Sequence, residues 1–220
     1  MNIKREGSKH LQQSRPGFLK SASATTKLSA IVVAGMVCST SALADCSREM
    51  LQELTATYVE AQSTGNPSML PLADSSYYGE NDVPLDIAEG VLSEALPVDF
   101  TRSFYDTTQC ATFTELTAAT HEHPYVIHTR MEVTEEGEVT TMELVVTDAD
   151  DWVFGAEQHL TVTREENWAE IPEDQRDRRG VLQAAAEAYI NNWGDPDLPV
   201  PHGTPCSRLE GRISTAARDP

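Results

Sequence analysis

The chain has 220 residues, with 16 Lys and Arg against 35 Asp and Glu, and the basic residues are unevenly distributed. Residues 1–44 hold six of them and one acid, so residues 45–220 carry ten arginines, no lysine and 34 acids, a formal excess of 24 negative charges. Such a polyanion is repelled by nucleic acid phosphates and anionic lipid headgroups, so neither is expected as a partner, and without lysine it forms no Schiff base.

In chain order, residues 1–44 read as an export signal: a basic stretch, the apolar run Leu28-Ser-Ala-Ile-Val-Val-Ala-Gly-Met-Val37, then Ala42-Leu-Ala44, with cleavage expected after Ala44. The apolar run is half of the ~20 residues that cross a bilayer, so no membrane attachment is expected after cleavage. Ser14-Arg-Pro-Gly-Phe-Leu-Lys20 resembles the twin-arginine export motif with Pro16 in place of the second arginine, which points to ordinary unfolded export. The expected location is secreted or periplasmic. Cys38 leaves with the signal, and Cys46, Cys110 and Cys206 remain, an odd number for an oxidising compartment. No CxxC or zinc-like spacing is present, so neither a metal site nor a cofactor is expected.

A helix is predicted to start at Asp45 or Ser47 as N-cap, with Leu51, Leu54, Tyr58 and Ala61 on one face, and to end at Gly65-Asn-Pro67. Leu70-Pro-Leu-Ala-Asp74 reads as a short helical turn, Ser76-Tyr-Tyr-Gly-Glu80 as a strand, and Asp86 to Leu96 as a helix stopped by Pro97. Period-two alternation then predicts strand runs over 100–117, 125–133, 139–147 and 152–162. Their short links require antiparallel neighbours. The expected class is α+β, a curved antiparallel sheet wrapped around N-terminal helices over residues 45–168. Residues 169–220 read as a linker and a second amphipathic helix, Arg178 to Trp193. Leu51-Gln52 and Tyr58 recur as Leu182-Gln183 and Tyr189, an offset of 131 residues. Gly65-Asn-Pro67 likewise recurs as Gly194-Asp-Pro196. This predicts the opening of a second, incomplete repeat, with no strands expected after Pro205.

The element order resembles the SnoaL-like, nuclear-transport-factor-2-like superfamily. More closely, Asp106-Thr-Thr-Gln-Cys-Ala-Thr-Phe-Thr-Glu115, His123-Pro-Tyr-Val-Ile127, Asp151-Trp152 and Gly203-Thr-Pro-Cys-Ser-Arg-Leu-Glu-Gly211 resemble a family of secreted, mostly fungal domains of unknown function. Members of that family run past the Arg-Leu-Glu-Gly motif into further strands with another cysteine. The resemblance therefore implies that the chain is a fragment, that Cys46 pairs with Cys110, and that Cys206 lacks its partner.

The wider superfamily implies a cone with an apolar interior that binds a small molecule or carries out cofactor-independent proton transfer, as a lyase, dehydratase or isomerase. By that resemblance Glu80 takes the base position and Tyr58 the donor position, with Tyr78 beside them as a substrate contact. Desolvation would raise a carboxylate there towards neutrality. Read without the resemblance, Glu80 is a strand-end acid and Tyr58 a core tyrosine. Asp106 is a third catalytic candidate or a turn cap. Glu115, His128, Arg130 and Glu143 alternate on one strand face, where His128 would act as acid or base and Arg130 would hold an anionic group. The better core face is Tyr125, Ile127, Met131 and Val133, so the first set fits solvent-facing ion pairs. His121-Glu-His123 lacks a third ligand, and His159 reads as a sheet residue. The alternative function is a non-catalytic extracellular binding module for a small molecule or glycan. A homodimer through the outer sheet face is a further expectation.

Overall fold

The computed structural model describes residues 46–203 and 206–216; the segment expected to be an export signal, its expected cleavage site and Asp45 lie outside them. Helix α1 spans Arg48–Thr64, and Ser47 caps it by accepting the Met50 N–H at 3.0 Å. It stops at Gly65, whose left-handed φ of 64° a side chain tolerates poorly. Leu51, Leu54, Tyr58 and Ala61, the predicted stripe, are buried.

Six strands follow: β1 Leu72–Glu80, β2 Val83–Pro84, β3 Phe100–Asp106, β4 Ala111–Ala118, β5 Tyr125–Val133 and β6 Val139–Thr147. They form one sheet in the order β2-β1-β6-β5-β4-β3. The run β3 to β6 is an antiparallel meander, but the run predicted as one strand over 100–117 is folded into β3 and β4 by a turn at 107–110, and β1 lies parallel to β6. The sheet is therefore mixed. Cys46 and Cys110 are bridged, tying the start of α1 to the turn between β3 and β4.

Three further segments within residues 67–165 depart from expectation. The predicted turn at 70–74 is a 3-10 turn at Pro67–Met69 followed by the start of β1. Residues 86–96 are irregular apart from a 3-10 turn at Val91–Ser93. Tertiary contacts take their backbone groups: the Gln62 amide donates to the Val91 and Glu94 carbonyls at 2.8 and 3.0 Å, and Glu80 accepts the Val91 N–H.

The third departure matters most. The run read as a strand over 152–162 holds helix α2, Ala156–Glu165. Ala156, His159, Leu160 and Thr163 recur at helical spacing, and Ala156 packs with Ala119 and Val126 on the sheet face opposite α1. Thr161 and Thr163 turn their hydroxyls onto the carbonyls four residues back, which reconciles β-branched residues with a helix. The sheet thus lies between α1 and α2.

Helix α3 spans Arg179–Asn192, one residue inside the predicted bounds at each end. A hairpin follows, β7 Ser207–Glu210 and β8 Ile213–Ala216, where no strands were expected. It turns at Gly211, with φ 56°, and a Cβ there would collide with the Val153 carbonyl. The Arg212 N–H donates to that carbonyl at 2.9 Å, so the hairpin docks on the turn ahead of α2.

Candidate functional site

On the inner sheet face, Tyr58 is fully enclosed and its hydroxyl lies 2.7 Å from Thr129 Oγ1. Burial pushes its phenol well above the ordinary range, so it stays neutral. Glu80 accepts the Val91 N–H at 2.6 Å and the Tyr78 hydroxyl. These bonds pin residues 90–91 to the sheet edge. Tyr78 is buried and forms part of a small cleft of about 210 Å³ with Leu72, Leu85 and Met142. Glu80 and Tyr58 line none of the clefts described below.

Asp106 accepts from the Thr108 and Gln109 N–H groups at 3.1 Å and from both Arg179 terminal nitrogens at 2.8 and 2.5 Å. It caps the β3–β4 turn and anchors the start of α3. The Arg179 guanidinium holds its carboxyl below the usual range, with the turn N–H groups adding to the effect. Beside it, Phe104, Phe113, Arg130 and Arg179 enclose a cleft of about 500 Å³.

The four alternating residues on the outer face divide into two groups. Arg130 pairs with Glu132 and, at 3.0 Å, with Glu143, and all three side chains are about half exposed. Glu115 and His128 stand opposite each other on β4 and β5, where α2 covers them. His159 on α2 places Nε2 at 2.8 Å from Glu115 Oε1. Arg102 donates to Glu115 Oε2 through Nε and Nη2 at 3.1 and 2.8 Å. Glu166 balances Arg102 at 2.8 Å, and the Trp168 ring stacks on it at 4.4 Å.

Glu115 is only 7% exposed. Burial alone would raise its carboxyl, but the His159 and Arg102 hydrogen bonds outweigh it, and the net displacement is downward. The carboxylate is therefore ionised and accepts only, which makes His159 Nε2 the donor of this hydrogen bond. Burial holds His128 below its ordinary value, against the pull of Glu115. At neutral pH it is an uncharged imidazole with no hydrogen-bond partner among the described residues.

His128 and His159 both line a cleft of about 350 Å³ whose walls are Val126, Val145, Trp152, Phe154 and, from the hairpin, Leu209 and Gly211. Trp152 stands 74% exposed. Apolar walls around two imidazoles, one oriented by a carboxylate that an arginine fixes, form a setting for acid–base chemistry on a small molecule. Of the residues singled out in the sequence, His128 lies in this cleft, Arg130 lines two neighbouring clefts, one shared with Asp106 and the other with His128, and Glu80, Tyr58 and Tyr78 lie elsewhere. His159, Arg102 and the walls from the turn ahead of α2 and from the hairpin do not follow from the sequence reading. The signal that finds His159 is its i, i+3, i+4, i+7 spacing with Ala156, Leu160 and Thr163.

Among the described residues, no helix is long and apolar enough to cross a membrane. A family model described as a domain of unknown function (DUF8021) matches residues 175–220, the segment that carries α3 and the β7–β8 hairpin. No curated protein matches the chain.

Proposed function

We propose that this is an exported SnoaL-like domain that binds a small, largely apolar molecule in the cleft between the outer sheet face, α2 and the β7–β8 hairpin, and carries out cofactor-independent proton transfer on it. The observation that carries the reading is the junction of His128 and His159 with the apolar walls of one cleft. His128 serves as base. The negative charge of Glu115 stabilises the imidazolium that forms, and His159 holds that carboxylate in place. The reaction class is proton abstraction from carbon beside a carbonyl, as in an isomerase, lyase or dehydratase. Glu80 and Tyr58 hold structural hydrogen bonds in this reading, and the base lies on the opposite sheet face from the one the superfamily resemblance implies.

Binding is tested with an uncharged naphthyl fluorophore excited by energy transfer from Trp152. The reading predicts saturable binding that Val145→Asp weakens at least tenfold, because Val145 forms a cleft wall. Binding of wild-type strength in the Val145→Asp protein, which keeps Trp152 as donor, would contradict it. A second reading, binding without chemistry, draws on the exposed Trp152 ring at the cleft. It predicts that any bound molecule comes off unaltered.

A further inference from the structure

The three side chains beneath the cleft have a property that proton transfer does not use. Glu115, His128 and His159 each offer one ligand atom, and these atoms lie within 4.8 Å of one another. Two imidazoles and one carboxylate are a donor set suited to a divalent transition metal, and a site with three protein ligands keeps a fourth position open.

We propose that Glu115 Oε1, one ring nitrogen of His128 and Nε2 of His159 form a zinc-type metal site whose open position faces the cleft.

The donors come from three elements that the fold holds in place. Strand pairing sets Glu115 opposite His128, and α2 sets His159 over Glu115. Zinc bonds nitrogen and oxygen at about 2.0–2.2 Å, so tetrahedral donors stand roughly 3.3 Å apart. Reaching that value opens the 2.8 Å Glu115–His159 contact slightly and draws in the His128 nitrogen from within the 4.8 Å spread, a movement that no hydrogen bond of His128 restrains among the described residues.

The surroundings supply the outer support that such sites use. Arg102 occupies Glu115 Oε2 and leaves Oε1 as the donor, so the ligating carboxylate is fixed from behind. The arginine's positive charge opposes a second cation, but Glu166 at 2.8 Å offsets it. Both imidazoles line the cleft, which gives the ion an entry path and gives its fourth position to water or to a ligand bearing oxygen or nitrogen.

The metal and the proposed proton transfer share residues but are distinct states. A bound ion takes the lone pairs that the base uses, so zinc-loaded protein loses proton transfer. Direct binding measurements separate the two ideas, since either can fail while the other stands.

The experiment is a calorimetric titration with zinc alone, run on chelator-treated Cys206→Ser protein, because Cys206 and His202 approach each other at 3.7 Å and would bind zinc separately. One equivalent is expected to bind. His128→Gln and His159→Gln are each expected to weaken binding more than the ~10- to 100-fold that losing an outer-shell partner costs. His121→Gln and His123→Gln are expected to leave it unchanged. A second measurement needs no cleft variant: one equivalent of zinc should shift the imidazole resonances of His128 and His159, and not those of His121 or His123. The absence of saturable binding, its survival in the His128→Gln/His159→Gln protein, or resonance shifts confined to His121 and His123 would each overturn the proposal.

Discussion

Replacing Glu115 by alanine should be among the most destabilising single changes at the outer face, although Glu115 is one of 34 acids after residue 44. The carboxylate accepts three hydrogen bonds, two from Arg102 and one from His159, and the Arg102 and Glu115 side chains are only 13% and 9% exposed. Removing one partner of a buried charged pair costs about 3–5 kcal/mol, because the other is left desolvated. Arg102 keeps Glu166 and the Trp168 face, which places the expected loss near the lower end, about 3 kcal/mol. The comparison is Glu143→Ala, which breaks the exposed Arg130 pair and should cost no more than ~1 kcal/mol. Urea unfolding at pH 7 measures both, with an unchanged slope showing that the denatured state is not altered. If the two variants lost the same stability, the buried cluster would be as well screened as the surface, and the electrostatic argument for the site would fail.

Several further outcomes follow from the same structure. Cys46→Ala/Cys110→Ala should lower stability by about 4 kcal/mol in urea, since the bridge closes a separation of 64 residues, and a loss under ~1 kcal/mol would count against this. His128 is held below its unfolded value of 6.5, so its contribution to stability is complete above pH 6.5 and is lost as pH falls below it. His128→Phe should flatten the stability curve in that window, and an unchanged curve would contradict the assignment. Glu115 adds a second acid-side loss, present above its unfolded value of 4.5 and lost as pH falls through its lower folded value. Gly211→Ala should undock the hairpin from Val153 and weaken fluorophore binding, with little change in the unfolding midpoint of the sheet.

The elements that the sequence made legible are those whose pattern and packing agree. Strands β5 and β6 fall at the residues that period-two alternation predicts, because each presents one face to α1. Helix α1 likewise follows from its cap, its stripe and Gly65. The face holding His128 was correctly separated from the core face of Ile127 and Met131. What alternation could not reveal is that the outer face is itself partly covered. The covering element, α2, is written with Thr161, Val162 and Thr163, whose β preference was overridden by packing of Ala156 and by hydroxyl bonds along the helix. With α2 read as a strand, His159 could not be set against Glu115, and the cluster dissolved into isolated residues. The parallel pairing of β1 with β6 was equally hidden, since it depends on the chain crossing the sheet between residues 80 and 100 and not on local pattern. The hairpin after Pro205 escaped because its strands are only four residues each.

The central claim is that the cleft, and not the Glu80–Tyr58 side of the sheet, carries the chemistry. It is tested most directly by following hydrogen–deuterium exchange beside the carbonyl of a panel of small cyclic ketones in D2O by NMR, using chelator-treated wild-type, His128→Gln and Glu80→Gln proteins. The account predicts catalysed exchange of at least one ketone, lost by about 10²-fold or more in His128→Gln and retained in Glu80→Gln. Exchange that survives in His128→Gln and disappears in Glu80→Gln would contradict it and return the base to the inner face of the sheet.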